Sequence, residues 1–431
     1  ASDVYKRQNI YLLIILIILI GTYFLDLIID ILDVRHFKTE LPEEFIGYYD
    51  TERYRISQEY LRENTRFGII SDTVSTSIII LFILFAGFNA VDQFARGFNL
   101  GSIPTGLIFT GTLILLFQII LIPFSIYRTF VIEEKYGFNK TTPRTFILDI
   151  FKSWLLIALI GGIVLSAILW FFEKTGAWAW FYCWIALTIF QILLMYIAPV
   201  IIMPLFNKFL PLEDGPLRKE IENYAVSQNF RMKGVFTMDG SKRSTKSNAF
   251  FTSFGRFRRI VLFDTLIEKH SVDELVSILA HEMGHYKKRH VLKNLTIAVL
   301  TSGLMFYVLS LFINNVQLFD AFKMEKTSVY ASLFFFGLLY APIEMILSVF
   351  GNMLSRRHEY DADAFSARTY KKPGSMISAL KKLSVENLIN LTPHPLKVFL
   401  TYSHPPVLER IRAIRSIHLL NGPVRDISNN K

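Results

Sequence analysis

The chain has 431 residues, of which 52% are hydrophobic, 15% aromatic and only 19% charged, with a formal net charge of +10. This composition excludes a disordered chain, and a single cysteine, Cys183, excludes both a disulfide framework and a cysteine-built metal site. The apolar residues fall in long blocks, three of which (154–172, 177–205 and 295–319) contain no Asp, Glu, Lys or Arg. Each can cross the roughly 30 Å hydrocarbon layer, which takes about 20 residues of helix.

In chain order, membrane spans are expected at 10–25, 69–88, 107–124, 154–172, 177–205, 295–319 and 328–350. The first follows Lys6 and Arg7 like a signal peptide. No small-residue cleavage pattern comes after it, and its apolar character runs on to Leu32, so it reads as an uncleaved span. With seven spans, 40 of the 46 Lys and Arg lie on one side. Positive charge accumulates in cytoplasmic loops, so the polar mass is expected to face the cytoplasm. The basic residues are spread over several loops, which suits topology and attraction to anionic membrane lipids and argues against a nucleic-acid partner.

The expected organisation is an N-terminal membrane domain of five spans (1–205), the first half of a polar domain (206–293), a transmembrane hairpin (294–350) and the second half of the polar domain (351–431). In the first half, a loop with Pro211, Asp214, Gly215 and Pro216 precedes a helical pattern through Ile221 and Tyr224. Short strand-like runs follow at 235–238, 248–252 and 259–263. The second half is mostly helical and interrupted at Pro373, Pro393, Pro395, Pro405 and Pro406.

His281-Glu282-Met283-Gly284-His285 spells H-E-x-x-H. Four residues make about one turn of helix, so both imidazoles can reach one ion with Glu282 beside it. The helix this requires is signposted by Ser271 and Glu274, which form a capping-box pattern, and by Lys287, Lys288 and Arg289 at its negative end. Two surface histidines on an amphipathic helix would give the same spelling, but with nine His in the chain a chance match is expected on the order of 0.01 times.

A catalytic zinc takes three protein ligands and leaves a fourth position for water. The chain returns to the same face after the seventh span, where Ser355-Arg356-Arg357-His358-Glu359-Tyr360-Asp361-Ala362-Asp363 is dense in oxygen and nitrogen donors. Glu359 and Asp363 are again four apart. One can bind the metal while the other orients a ligand histidine. Spacing alone does not choose among Glu359, Asp361 and Asp363.

HEMGH, a hydrophobic hairpin and then SRRHEYDADAFSA together resemble the membrane zinc endopeptidases of the CAAX prenyl protease 1 family. FVIEEKYGFNK, PVIIMPLFNKFLPLEDG, DGSKRSTKSNAFF, RIVLFDTL and YSHPP match as well, so the likeness runs from about residue 125 to 415. The resemblance implies a mainly α polytopic protein, with about seven transmembrane helices enclosing a chamber, plus a zinc metalloprotease domain with a small β-sheet. It implies one Zn2+ per chain held by His281, His285 and Glu359, with Glu282 as the base. Asp363 matches the acidic residue that follows the third ligand, a metal-ligand orienter or proton donor.

His404, held by the prolines after it, is a candidate donor to the oxyanion; the competing reading is a helix cap. Residues 248–252 are a candidate edge strand for an extended peptide, with Asn248, Ala249 and Phe250 as substrate-binding candidates. A plain hairpin strand is the alternative.

The expected function is removal of the C-terminal tripeptide from prenylated CAAX proteins, in the endoplasmic reticulum membrane of a eukaryote or the plasma membrane of a bacterium. A second reading is a quality-control protease resembling the bacterial heat-shock metalloproteases, which are shorter. A third is a non-enzymatic scaffold or transporter.

Overall fold

The structure is a computed structural model that describes residues 9–38, 40–230, 232–252 and 259–420. The chain forms two compact units. The first contains the residues up to Val34 together with Arg62–Leu205 and Asn294–Ser348; the second contains Arg35–Leu61, Phe206–Lys293 and the residues from Val349 on.

Among the described residues, seven helices are long and apolar enough to cross a membrane: Ile10–His36, Thr51–Leu84, Ser102–Glu133, Pro143–Lys174, Gly176–Phe206, His290–Ser310 and Val329–Tyr370. No more than 17% of the apolar stretch in any of them is buried by protein, as expected for helices that are hydrophobic all round and solvated by lipid. The sixth ends earlier than its apolar block suggests. Asn314 turns the chain with φ of 58°, and the side chain of Asn315 accepts a hydrogen bond from the Leu318 amide to start a separate short helix, Val316–Ala321.

In the first unit the core is aromatic, built from Phe88, Phe109, Phe319, Phe322, Tyr330 and Phe335. Asp92 is buried among these rings and is satisfied by the Tyr330 hydroxyl at 2.5 Å and Arg96 at 2.7 Å. A cavity of about 670 Å³ lies between the third, fourth and seventh spans, lined by Leu107, Ile114, Trp154, Val164 and Phe334.

In the second unit the described residues form a four-stranded sheet: β1 (Phe209–Pro211), β2 (Gly234–Met238), β3 (Ala249–Thr252) and β4 (Arg259–Phe263), in spatial order β1-β2-β4-β3. The β2–β4 pair is parallel and the outer pairs are antiparallel. Ile260, Val261 and Leu262 are all buried, which accounts for the unbroken apolar run of β4. β1 was not expected; it is three residues long, ends in a proline and lies at the sheet edge, where a missing N–H is tolerated.

Helices of this unit include α1 (Pro216–Ser227), α2 (Val272–Lys287), the start of α3 (His290–Ser310), the end of α4 (Val329–Tyr370), α5 (Pro373–Glu386), α6 (Pro395–Thr401) and α7 (Val407–Leu420). The second half breaks between helices where its prolines were expected to interrupt it, and Pro373 and Pro395, like Pro216 after its loop, stand in the first turns of α5, α6 and α1, where the absent N–H would have had no partner. Ile221, Val235, Ile260, Leu262, Leu275, Leu279, Met283 and Ala379 make one core between α1, α2, α5 and the sheet.

Helix α2 starts with the expected capping box. The Ser271 hydroxyl accepts from the Glu274 amide, and the Glu274 carboxylate accepts from the Ser271 N–H at 2.8 Å. The same carboxylate receives Ser378 at 2.6 Å and Lys382 at 2.8 Å from α5. Burial pushes the Glu274 carboxyl up, but these bonds outweigh it and hold it below the usual value near 4.5. Its stabilising contribution is therefore complete above that value and is lost as pH falls through the lower folded-state value. Glu274→Gln should lower stability by about 1–3 kcal/mol at pH 7. Thermal unfolding of the two proteins in detergent should show that gap closing as pH is lowered below about 4.5.

Candidate active site

His281 and His285 lie one turn apart on α2, and their Nε2 atoms are 3.1 Å from each other. Glu359, on the polar end of α4, completes a triangle: Oε2 is 3.5 Å from Nε2 of His281, and Oε1 is 3.3 Å from Nε2 of His285. Among the described residues, these three form the group able to hold a metal ion. Zinc bonds of about 2.0–2.1 Å in a tetrahedron place neighbouring ligand atoms roughly 3.3 Å apart, close to these nearest separations, so the three side chains suit a first-row divalent ion.

This approach depends on Gly284. A Cβ there would lie 2.9 Å from the Cα of Ala362 and 3.2 Å from its carbonyl oxygen, both backbone atoms of α4. Only a residue without a side chain lets the two helices come so close. One turn away on α4, the buried Ser366 hydroxyl donates to the Ser277 carbonyl at 2.8 Å and ties the helices together again. Tyr370 at 2.8 Å and Lys372 at 2.7 Å both reach Asp273 near the start of α2.

Asp363 is 1% exposed and meets Nδ1 of His281 at 2.8 Å. Arg410, from α7, grips Asp363 with two donors at 2.7 and 2.8 Å and reaches Glu359 at 3.2 Å. Sequence reasoning gave Arg410 no role beyond membership of a helix. The segment before α7 is held to α4 by Asn352, which donates to the Leu400 carbonyl, and by Arg356, which donates to the carbonyls of Val398 and Tyr402. Tyr360 bonds Glu409 at 3.0 Å. These contacts present His404, whose Nε2 lies 3.4 Å from Glu359 while its ring remains mostly exposed. Its Nδ1 is 3.0 Å from Ser403 Oγ.

The electrostatics follow from this packing. Burial alone would lower the affinity of His281 for a proton, but the carboxylates of Asp363 and Glu359 outweigh it, and its pKa is pushed up to about 9. The site therefore attracts positive charge, which a divalent cation would supply in place of the proton. Burial raises the Glu282 carboxyl above the usual glutamate value, against the opposing pull of the two histidines. Burial works against the Arg410 cation too, yet the Asp363 and Glu359 carboxylates hold it firmly protonated.

Of the nine candidate site residues, the structure gathers six: His281, Glu282, His285, Glu359, Asp363 and His404. The other three lie at the edge of the sheet. Ala249 and Phe250 belong to β3, which packs against α2, and Asn248 immediately precedes the strand. The Asn248 carbonyl accepts from the Phe263 amide at 3.2 Å, and its side chain accepts from the Ala249 amide. The far edge of β3 has no neighbouring strand among the described residues.

Seven apolar spans and a three-donor site built on H-E-x-x-H define a polytopic membrane metallopeptidase. Residues 211–418 match the model of Peptidase family M48, and residues 30–208 match that of the CAAX prenyl protease N-terminal domain, described as five membrane helices. The CAAX prenyl protease 1 homolog of Oryza sativa subsp. japonica is 36% identical over 94% of this chain and 97% of its own. CAAX prenyl protease 1 of Saccharomyces cerevisiae is 34% identical, with 88% and 89% covered. The crystal structure of S. mikatae Ste24p superposes with a TM-score of 0.90 at 33% identity, over 94% of this chain and 99% of that one. The chain belongs to the CAAX prenyl protease 1 family.

The close helix contact yields a test. Gly284→Ala inserts a methyl group against backbone, an overpacking of about 1–3 kcal/mol that is relieved by parting α2 from α4. Gly351→Ala, where the added Cβ meets nothing within 4 Å, is the control. Metal content of the purified proteins after dialysis should fall at least several-fold for the first and stay at the wild-type level for the second.

Proposed function

We propose that the protein is a zinc endopeptidase that releases the C-terminal tripeptide from prenylated CAAX proteins. The observation that carries this reading is the convergence of His281, His285 and Glu359, whose nearest nitrogen and oxygen atoms are 3.1–3.5 Å apart. The donor set of two imidazoles and one carboxylate suits zinc, which when bound polarises a peptide carbonyl and acidifies water.

Glu282 lies beside the ligand histidines and acts as the general base. It takes a proton from the attacking water as the new C–O bond forms, then delivers that proton to the amide nitrogen as the C–N bond breaks. Its raised pKa suits both halves of this task, because a carboxylate of ordinary acidity would be a weaker base. Asp363, fixed by Arg410, accepts from Nδ1–H of His281 and so leaves Nε2 bare for the metal. His404 donates to the developing oxyanion from its exposed position beside Glu359. The free edge of β3 pairs with the extended substrate backbone through Asn248, Ala249 and Phe250.

The CAAX assignment rests on the names of the relatives matched along nearly the whole chain. A membrane-embedded enzyme also suits a substrate whose prenyl chain prefers an apolar medium. The excess of Lys and Arg on one side supports a catalytic face turned to the cytoplasm, on the endoplasmic reticulum membrane if the source is eukaryotic.

Purified protein should cleave a farnesylated CAAX peptide far faster than an unmodified fragment of a membrane protein; equal rates would favour a quality-control protease instead. Glu282→Gln should lose about 10²–10⁴ of the rate while retaining zinc. His281→Ala should lose both zinc and cleavage. Full cleavage by Glu282→Gln would remove the proposal.

A further inference from the structure

His290 is 2% exposed, and the mechanism above gives it no part. It stands five residues after His285, which on a continuing helix would turn it about 140° away around the axis. The helix does not continue. α2 stops at Lys287, and Arg289 takes φ of 57°, a conformation sparsely populated by residues with side chains. The turn carries His290, first residue of α3, back against the site. Its Nδ1 lies 3.0 Å from Nδ1 of His285, with the rings crossed at 73°. The buried ring of His358 is stacked on His290 at 3.9 Å and 11°, fixing its plane. Nε2 of His290 lies 3.8 Å from the Asp361 carboxylate, beyond direct hydrogen-bond reach.

The proton positions follow from bonding rules. Two Nδ1 atoms at 3.0 Å must be one donor and one acceptor. If Nε2 of His285 gives its lone pair to a metal, its proton is on Nδ1, so His285 donates and His290 accepts. The proton of His290 is then on Nε2, on the side of Asp361.

We infer that His290 is a positioning residue for His285: a neutral imidazole that accepts its Nδ1–H, fixing the tautomer and ring orientation that aim Nε2 at the metal. His281 is held in the same way by Asp363, so the two metal-facing imidazoles are oriented by different chemistries, one by a carboxylate and one by an uncharged ring. The uncharged partner orients His285 without adding a third buried negative charge to Glu359 and Asp363. This inference rests on the zinc reading of the site.

The test is the zinc dissociation constant of full-length protein in detergent, measured by competition with a chelator, for wild type and three variants. His290→Asn keeps an acceptor near the position of Nδ1, His290→Gln moves it away, and His290→Leu removes it. Zinc binding should weaken about 10–100-fold in the Leu and Gln variants and be largely restored in the Asn variant, with the unfolding temperature of the zinc-free proteins unchanged. Wild-type affinity in Leu and Gln, or an Asn variant no tighter than Gln, overturns the inference. If the Leu variant does not accumulate folded, Asn against Gln carries the same comparison. A wild-type protein that binds no zinc overturns the metal reading itself and is told apart from failure of the His290 role by that control.

Discussion

The candidate site depends on one close contact, the approach of helix α2 to the polar end of α4 at Gly284 and Ala362. H-E-x-x-H supplies two imidazoles on one helix face, but a third donor must come from another helix. The distance between helix axes decides whether it arrives. Helices usually pack 8–10 Å apart, and small residues at the contact set the near end of that range. Here the missing side chain of Gly284 brings a carboxylate 75 residues further along the chain to within 3.5 Å of both rings.

Closeness creates an electrostatic problem that the surrounding side chains resolve. Glu359 and Asp363, both buried, would repel each other if unpaired. Arg410 reaches both, neutralising part of their charge through a bidentate grip on Asp363 that also fixes its orientation towards His281. What remains is a site rich in carboxylates, suited to a divalent cation and to a glutamate of raised pKa beside it. Replacing Arg410 with lysine would keep the charge but lose the fork geometry that holds Asp363 in place.

The spans were legible because lipid offers no hydrogen-bond partners: every crossing segment must be a continuous apolar helix, and that constraint writes itself into block composition. Where the reading failed, local chemistry broke a block from within, as Asn314 and Asn315 do in the sixth. The H-E-x-x-H helix was legible from its capping box and the four-residue spacing of its histidines. The choice of Glu359 over Asp361 was not; it came from resemblance, since all three acids lie on one polar stretch and only the direction of each side chain separates them. Arg410 and His290 were missed for a common reason. Arg410 meets Asp363 from another helix, and His290 meets His285 only after the left-handed turn at Arg289, so neither contact follows from helical periodicity.

The central claim is that two imidazoles and one carboxylate converge on a single ion. Zinc-edge X-ray absorption of the purified, metal-loaded protein tests it directly, by identifying the atoms bound to the metal. The account predicts one zinc per chain whose shell contains two imidazole nitrogens, with oxygen in the remaining positions and no sulfur. A shell of three or more imidazoles, or a Glu359→Ala variant with a spectrum and zinc content identical to wild type, would contradict it.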